Sequence, residues 1–168
     1  MKLILIVVGF GLSILGCSEK ENTSQIKSLL GQQLKNTYTN EEWFVPAKIA
    51  VEGLTVDQSN WKDSTANHSI GELVSHLIFW NERVLKAFKG DSISDFNEDN
   101  KVTFKDKNEW ETSIRKLDSI QLEWEELTEK ATEKQLEEWS TEILNMTAHN
   151  AYHTGQILYI RKQNGWWE

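Results

Sequence analysis

The spacing of the apolar residues constrains this chain more than any other feature. Over four long stretches they recur every three or four positions, which places them on one side of an α-helix. The stretches are residues 24–38, 69–90, 106–131 and 142–163. The single proline of the 168 residues, Pro46, lies outside all four, so none contains the residue that most often breaks a helix. We therefore predict an all-α domain built from four long helices.

The second and third helices are separated by an unusual connection. Ser69 and Glu72 form a capping-box pattern, which predicts the start of the second helix. Residues 90–105, after that helix, show no sustained period and are long for a connection inside a compact helical domain. A connection of that length lets two consecutive helices run parallel. We therefore predict a four-helix bundle with a long crossover between helices 2 and 3.

The remaining connections are shorter. Pro46 is predicted to open a short helix that runs through Leu54. Residues 57–63 are predicted to form a polar loop, and residues 132–140 to connect the third and fourth helices. The expected apolar side of the first helix consists of Ile26, Leu29, Leu30 and Leu34.

The first 17 residues have the composition of an export signal. Lys2 is followed by an apolar run over residues 3–15 and then by the only cysteine, Cys17. The ending Ile-Leu-Gly-Cys resembles the lipobox of bacterial lipoproteins, in which the signal is cleaved before the cysteine and the cysteine is lipidated. A simple secretory signal and an uncleaved anchor helix are the alternatives. The resemblance implies an exported domain, lipid-anchored to a bacterial membrane and facing the periplasm or the cell exterior.

These signals divide the chain into a signal peptide over residues 1–17, a polar tether over 18–24 and a helical bundle domain over 25–168. The formal net charge of −8 argues against a nucleic-acid partner, which would need a basic surface. One cysteine excludes an internal disulfide framework and a cysteine-based zinc cluster. The expected partners are a small-molecule substrate and, through the lipid anchor, the membrane. A homodimer is an open alternative.

Three of the four histidines are predicted to face the core. His149 and His153 are one turn apart on the fourth helix, so they point the same way and continue its apolar side. His76 falls on the apolar side of the second helix. A divalent metal ion would satisfy the ring nitrogens of all three. The rival explanation is that they are core histidines hydrogen-bonded to Glu72, Asn150 or backbone carbonyls.

Other polar residues lie close to these histidines in the sequence. Gln156 is two turns from His149 on the same face and is a candidate for orienting a bound water or substrate. Glu72, one turn before His76, is a candidate general base or hydrogen-bond acceptor for the site. Its alternative role is the capping box. His68 precedes the second helix and is predicted to be a loop histidine outside the site.

Three aromatic residues are predicted to lie outside the histidine site. Tyr152 projects about 100° away from its neighbour His153 on the helix, so we expect it to pack against another helix. Trp166 and Trp167 at the C-terminus are expected either to cap the bundle or to touch the membrane interface, where tryptophan is favoured.

Two segments carry a family resemblance. Residues 69–80, SIGELVSHLIFW, and 148–157, AHNAYHTGQI, together resemble the DinB-like family of metal-binding four-helix bundles. Residues 43–47 and 53–55 are similar to that family's segment between its first two helices. The resemblance spans residues 24–163 and implies a bundle with up-down-down-up helix directions.

The resemblance also implies a site and a chemistry. It places the family's histidine triad on His76, His149 and His153, binding a divalent ion such as zinc or nickel. Three protein ligands leave a coordination position open, as in catalytic sites. Relatives include thiol-dependent S-transferases and isomerases and proposed hydrolases. Because small thiols are kept in the reducing cytosol, export favours a metal-dependent hydrolase. A thiol-dependent S-transferase and a non-catalytic module stapled by the metal are the alternatives.

Overall fold

The computed structural model describes residues 15–64, 68–92, 99–105 and 109–167. The described residues are mostly helical and contain no strand. The all-α prediction is therefore confirmed. The helices are α1 (Leu15–Tyr38), α2 (Ala47–Val51), α3 (Val56–Asn60), α4 (Ile70–Phe88), α5 (Asn100–Thr103), α6 (Trp110–Lys130) and α7 (Glu133–Gln163).

Four long helices surround one core. Helix α1 packs against α6 and α7, and α4 packs against the same two helices, so each long helix has two long neighbours. Each contributes a side chain that is at most 1% exposed: Leu34, Leu77, Leu117 and Ile157. The up-down-down-up order of helix directions stays a prediction.

Helix α4 begins where its capping pattern predicts. The backbone N–H of Glu72 donates to Ser69 Oγ at 3.2 Å, and the Ser69 N–H donates to Glu72 Oε2 at 2.9 Å. The helix ends at Phe88, and Gly90 follows with φ +88°, a conformation that glycine adopts without strain.

Helix α7 is longer than predicted. It begins at Glu133, so most of the predicted connection over residues 132–140 is helical. Thr132 forms a capping box with Gln135 at this end. Leu136, which is 1% exposed, and the partly buried Trp139 extend the buried side of the helix toward its N-terminus. The early start reflects a threonine cap and an apolar stripe hidden among charged residues.

The first connection also differs from the prediction. Pro46 is the N-cap of α2 rather than its first residue, and α2 ends at Val51 instead of Leu54. The predicted polar loop over residues 57–63 contains most of α3, which starts from a capping box between Thr55 and Gln58. The capping box therefore stabilises a short helix in a segment whose polar composition predicts a loop.

The long crossover has structure of its own. Residues 99–105 contain the short helix α5, whose N-cap Asp99 accepts from the Lys101 N–H at 3.0 Å, and α5 packs against α4. Helix α6 begins at Trp110, with Glu109 as N-cap, rather than at residue 106. The other predicted crossover and helix residues, 93–98 and 106–108, lie outside the described residues.

The N-terminal prediction is only partly covered by the structure. Residues 1–14 of the predicted signal lie outside the described residues, and Leu15 and Cys17 belong to α1. No helix in the described part of the chain is both long and apolar enough to cross a membrane. Farther along α1, Ile26 and Leu29 are 37% and 68% exposed, so the apolar side predicted for this helix is too wide.

The C-terminal residues cover one end of the bundle. The Arg161 guanidinium donates to the carbonyl of Ala50 at 2.7 Å and to that of Trp166 at 3.0 Å. The same guanidinium lies 4.7 Å from the ring centroid of Trp167. Trp166 makes an edge-to-face contact with Trp61. Both terminal tryptophans therefore contact the bundle through Arg161, which ties the last residues to the end of α2.

A cluster of buried amides joins three of the long helices. Asn81 on α4 and Asn150 on α7 exchange two side-chain hydrogen bonds, at 2.7 and 3.0 Å. Asn81 Oδ1 also accepts from Gln121 of α6 at 2.8 Å. All three side chains are at most 3% exposed. Because buried amides are costly unless paired, this cluster selects one register of α4 against α6 and α7.

We predict that Asn81→Ala lowers the free energy of unfolding by about 3 kcal/mol, since it leaves two buried amides without their partner. Urea denaturation of the purified protein measures this. Asn145→Ala, at an exposed position of α7, is the matched control and should change stability by less than about 0.5 kcal/mol. Equal effects of the two substitutions would contradict the proposed importance of the cluster.

Candidate metal site

The three predicted histidines meet between α4 and α7. The Nε2 atom of His149 lies 3.0 Å from Nε2 of His76 and 3.0 Å from Nε2 of His153. One ligand atom from each of the three residues falls within 4.8 Å of the others. His76 and His153 are 2% and 6% exposed, and His149 is half-buried. The helix faces inferred from the sequence thus bring the three rings together.

The hydrogen bonds of His76 define its tautomer. Thr103 Oγ1 donates its hydrogen to the carbonyl of Asn100 at 2.7 Å. It therefore accepts at its 2.5 Å contact with His76 Nδ1, which must carry the ring hydrogen. The Nε2 atom of His76 is left with its lone pair, directed toward His149.

His153 is held in the same way. Its Nδ1 lies 2.6 Å from Oε1 of Gln156, a carbonyl oxygen that can only accept. The hydrogen is therefore on Nδ1, and the Nε2 lone pair faces His149. A partner that fixes the second ring nitrogen is the usual companion of a metal-binding histidine.

This arrangement fits a cation better than a set of ordinary core histidines. Two Nε2 lone pairs approach the single Nε2 of His149, which as a neutral N–H can donate along only one direction at full strength. Three imidazole nitrogens are a suitable donor set for zinc or nickel. The three histidines could therefore hold a metal ion. The rival partner Asn150 is engaged with Asn81.

The surroundings keep these rings neutral. Burial and, after it, the charges of the neighbouring histidines together lower the pKa of His76 to about 3. Burial likewise lowers the pKa of His149 to about 4 and moves that of His153 below its usual value. Neutral imidazole is the form that binds a metal ion, so the folded protein presents ligands in the required state at neutral pH.

The family follows from a comparison with known proteins. The model of the DinB superfamily matches residues 47–157, about two thirds of the chain, and this range includes all three histidines. The chain belongs to the DinB superfamily. No curated protein and no solved structure matches it. Membership agrees with the helical fold but does not by itself assign a ligand or a reaction to this chain.

Glu72 of this DinB-superfamily domain is engaged away from His76, His149 and His153. Its carboxylate accepts from the Ser69 N–H and forms an ion pair with Lys62 at 2.8 Å. The Lys62 and Ser69 hydrogen bonds hold the pKa of this carboxyl below its usual value although burial opposes them. The ring nitrogen of His76 that Glu72 was a candidate to bind is bonded to Thr103 instead. The contacts of Glu72 are those of a helix cap.

The two other predicted neighbours have different places. His68 lies just before α4, as predicted, and its ring stacks on Phe104 with centroids 3.7 Å apart. Tyr152 is 65% exposed, so the expected packing against another helix is wrong. Its ring meets the His153 ring edge-on at 4.9 Å. Both residues border the cluster without joining it.

Two residues of the DinB-superfamily site were not found from the sequence. Thr103 and Phe104 lie in the crossover, at the end of α5. The Phe104 ring is stacked on His76 at 3.9 Å and 5°, as well as on His68. No periodicity in the crossover marks either residue. Their place depends on α5 packing against α4, which local sequence does not specify.

We predict that Thr103→Val weakens binding of a divalent ion by about ten- to a hundredfold, because it removes the acceptor that holds His76 in its tautomer. Thr103→Ser keeps the acceptor and should restore most of the affinity. Competition with a chromogenic chelator measures both values.

The matched control is Thr37→Val on α1, where a buried threonine donates to the carbonyl of Leu34 at 3.0 Å. It should leave the metal affinity unchanged. If Thr103→Ser binds metal as weakly as Thr103→Val, the hydroxyl oxygen does not act in the way described.

Proposed function

We propose that this DinB-superfamily protein binds one divalent ion, zinc or nickel, through His76, His149 and His153. The proposal rests on one observation: Thr103 and Gln156 each fix a tautomer, so that two Nε2 lone pairs converge on the Nε2 atom of the third histidine. Because Thr103 is brought to His76 by tertiary structure, the arrangement is more specific than an inward-facing histidine pair.

We further propose that the protein is a metal-dependent hydrolase. Three protein ligands leave coordination positions for water and substrate. A cavity of about 630 Å³ borders His153 and Gln156, and this volume suits a small-molecule substrate. The bound ion would supply Lewis acidity and lower the pKa of water to near neutrality.

The residues of the chain would have separate roles in that reaction. The histidines bind the ion, and Thr103 orients His76. The Gln156 amide oxygen accepts from His153. The two N–H groups of the same amide would then be available to donate to a substrate oxygen in the cavity that Gln156 lines. Since Glu72 is engaged in the cap, we assign it no catalytic role.

We expect the full-length protein, purified without chelator, to contain about one divalent ion per chain, measured by plasma emission spectrometry. His153→Ala should lose the ion, because two remaining imidazoles bind far more weakly. Saturating metal should raise the melting temperature of the wild type but not of the variant. His68→Ala, which removes a neighbouring ring outside the cluster, should retain the metal.

Turnover of neutral esters, amides and lactams, with and without chelator, tests the hydrolase assignment. Activity that requires the ion and is lost in His153→Ala supports it. Stoichiometric metal without hydrolysis of any of these compounds, together with a reaction that occurs only when a small thiol is added, would favour the S-transferase. A protein that never binds metal would contradict the whole proposal.

We also propose that the protein is exported and lipid-anchored through Cys17. Support comes from the signal pattern of residues 1–17 and from the polar composition of residues 18–24, which belong to α1 in the structure. Expressed in a bacterial host with radiolabelled palmitate, the wild type should take up label and fractionate with membranes. Cys17→Ser should do neither and should keep its uncleaved leader. Labelling of the variant to the wild-type level would contradict lipidation at Cys17.

A further inference from the structure

The cavity beside His153 has one wall formed by a regular pattern on α7. Seven residues of this helix line it, and four of them follow one another at spacings of four, three and four positions, which places these four on one helix face. They are Tyr152, Gln156, Tyr159 and Gln163. Tyrosine and glutamine therefore alternate along the wall for about three turns.

The two tyrosines lie on the surface of the domain. Tyr152 is 65% and Tyr159 is 69% exposed. An exposed aromatic ring offers a flat apolar face whose contact with water a stacked ligand would remove. Gln156, between the two tyrosines, and Gln163, one turn after Tyr159, add uncharged amide groups to the same wall. This wall is suited to a ligand with a flat apolar face and a neutral polar edge.

The part of the cavity lining outside α7 is aromatic as well. It includes Trp61, held by its edge-to-face contact with Trp166, and the stacked pair of His68 and Phe104. Leu73 adds an aliphatic surface. A flat ligand between the two walls would have aromatic contacts on both of its faces.

The charge of the lining determines which ligands fit. Among the described residues, no lysine or arginine lines the cavity, and Asp63 is the one carboxylate. A phosphate or carboxylate substrate would find no cationic side chain to replace its hydration. The net charge of −8 disfavours anions further. The neutral amides along α7 pair best with a ligand that is itself uncharged.

We propose that this cavity binds an uncharged small molecule with a flat, preferably aromatic, face and an amide or ester group, held between Tyr159 and Trp61 and hydrogen-bonded by Gln156 and Gln163. This inference rests on the proposed function, in which such a molecule is the substrate. Its carbonyl group would lie beside His153, at the end of the cavity where the ion is held.

Three probes of nearly equal shape separate the possibilities by charge: benzamide is neutral, benzoate is an anion and benzamidine is a cation. Each is titrated into the full-length protein in detergent, after chelation so that no metal attracts benzoate. Saturation-transfer NMR gives the dissociation constants. Benzamide should bind about tenfold more tightly than benzoate, because the cavity leaves a carboxylate uncompensated. Benzamide should also bind more tightly than benzamidine in spite of Asp63, because an amidinium has no oxygen to accept from the Gln156 N–H groups.

Variants then locate the binding. Tyr159→Ala should weaken benzamide binding about fivefold, and Tyr159→Phe should not, because the ring and not the hydroxyl forms the wall. Leu144→Ala, at an exposed α7 position outside the lining, should have no effect. Benzoate or benzamidine binding as tightly as benzamide, or equal affinities of Tyr159→Ala and Leu144→Ala, would overturn the proposal.

These measurements are independent of turnover. Selective benzamide binding in a protein that never takes up metal would support the neutral cavity while the proposed function fails. Metal uptake without benzamide selectivity would overturn the cavity assignment and leave the metal site intact.

Discussion

The paired amides of Asn81 and Asn150 are the interaction on which the rest of this structure depends. A hydrophobic interface between two long helices tolerates small shifts, since apolar contacts have no direction. Two reciprocal amide hydrogen bonds do not tolerate such shifts, because they are directional. Gln121 extends the constraint to a third helix. Asn150 is the residue next to His149, so the register that satisfies the amides also sets the position of the histidine rings.

The same division between local and non-local constraints explains how much could be predicted. The histidine pair on α7 follows from helix geometry alone, and the start of α4 from a capping box, because both depend on residues close in sequence. Placing His76 beside the other two histidines required only the assumption that the apolar side of its helix faces the core. Thr103 could not be found, because its contact joins residues 27 positions apart through a connection without periodicity.

Errors in the helix boundaries have a related origin. The start of α7 was missed because the charged residues of 132–140 conceal the buried Leu136 and the partly buried Trp139, and α3 was missed because its residues are mostly polar. In both cases a capping box was present in the sequence, with Thr132 and Thr55 as caps. Glu72 shows the converse. Its pattern fits both a cap and a catalytic base, and the hydrogen bonds to Ser69 and Lys62 settle the carboxylate in the cap.

The stacking of Phe104 between two imidazoles links the crossover to the histidine cluster. Helix α5 and the Phe104 that follows it contribute the acceptor for His76 and the aromatic ring stacked on it. The docking of this segment and the geometry of the three histidines therefore stabilise each other. Such coupling is reciprocal: whatever docked α5 adds to the affinity for an ion, the ion returns as affinity for docked α5. Occupancy of the site by the proposed ion and docking of the crossover would therefore be coupled, and a partner that bound α5 would change the affinity for that ion without contacting a histidine.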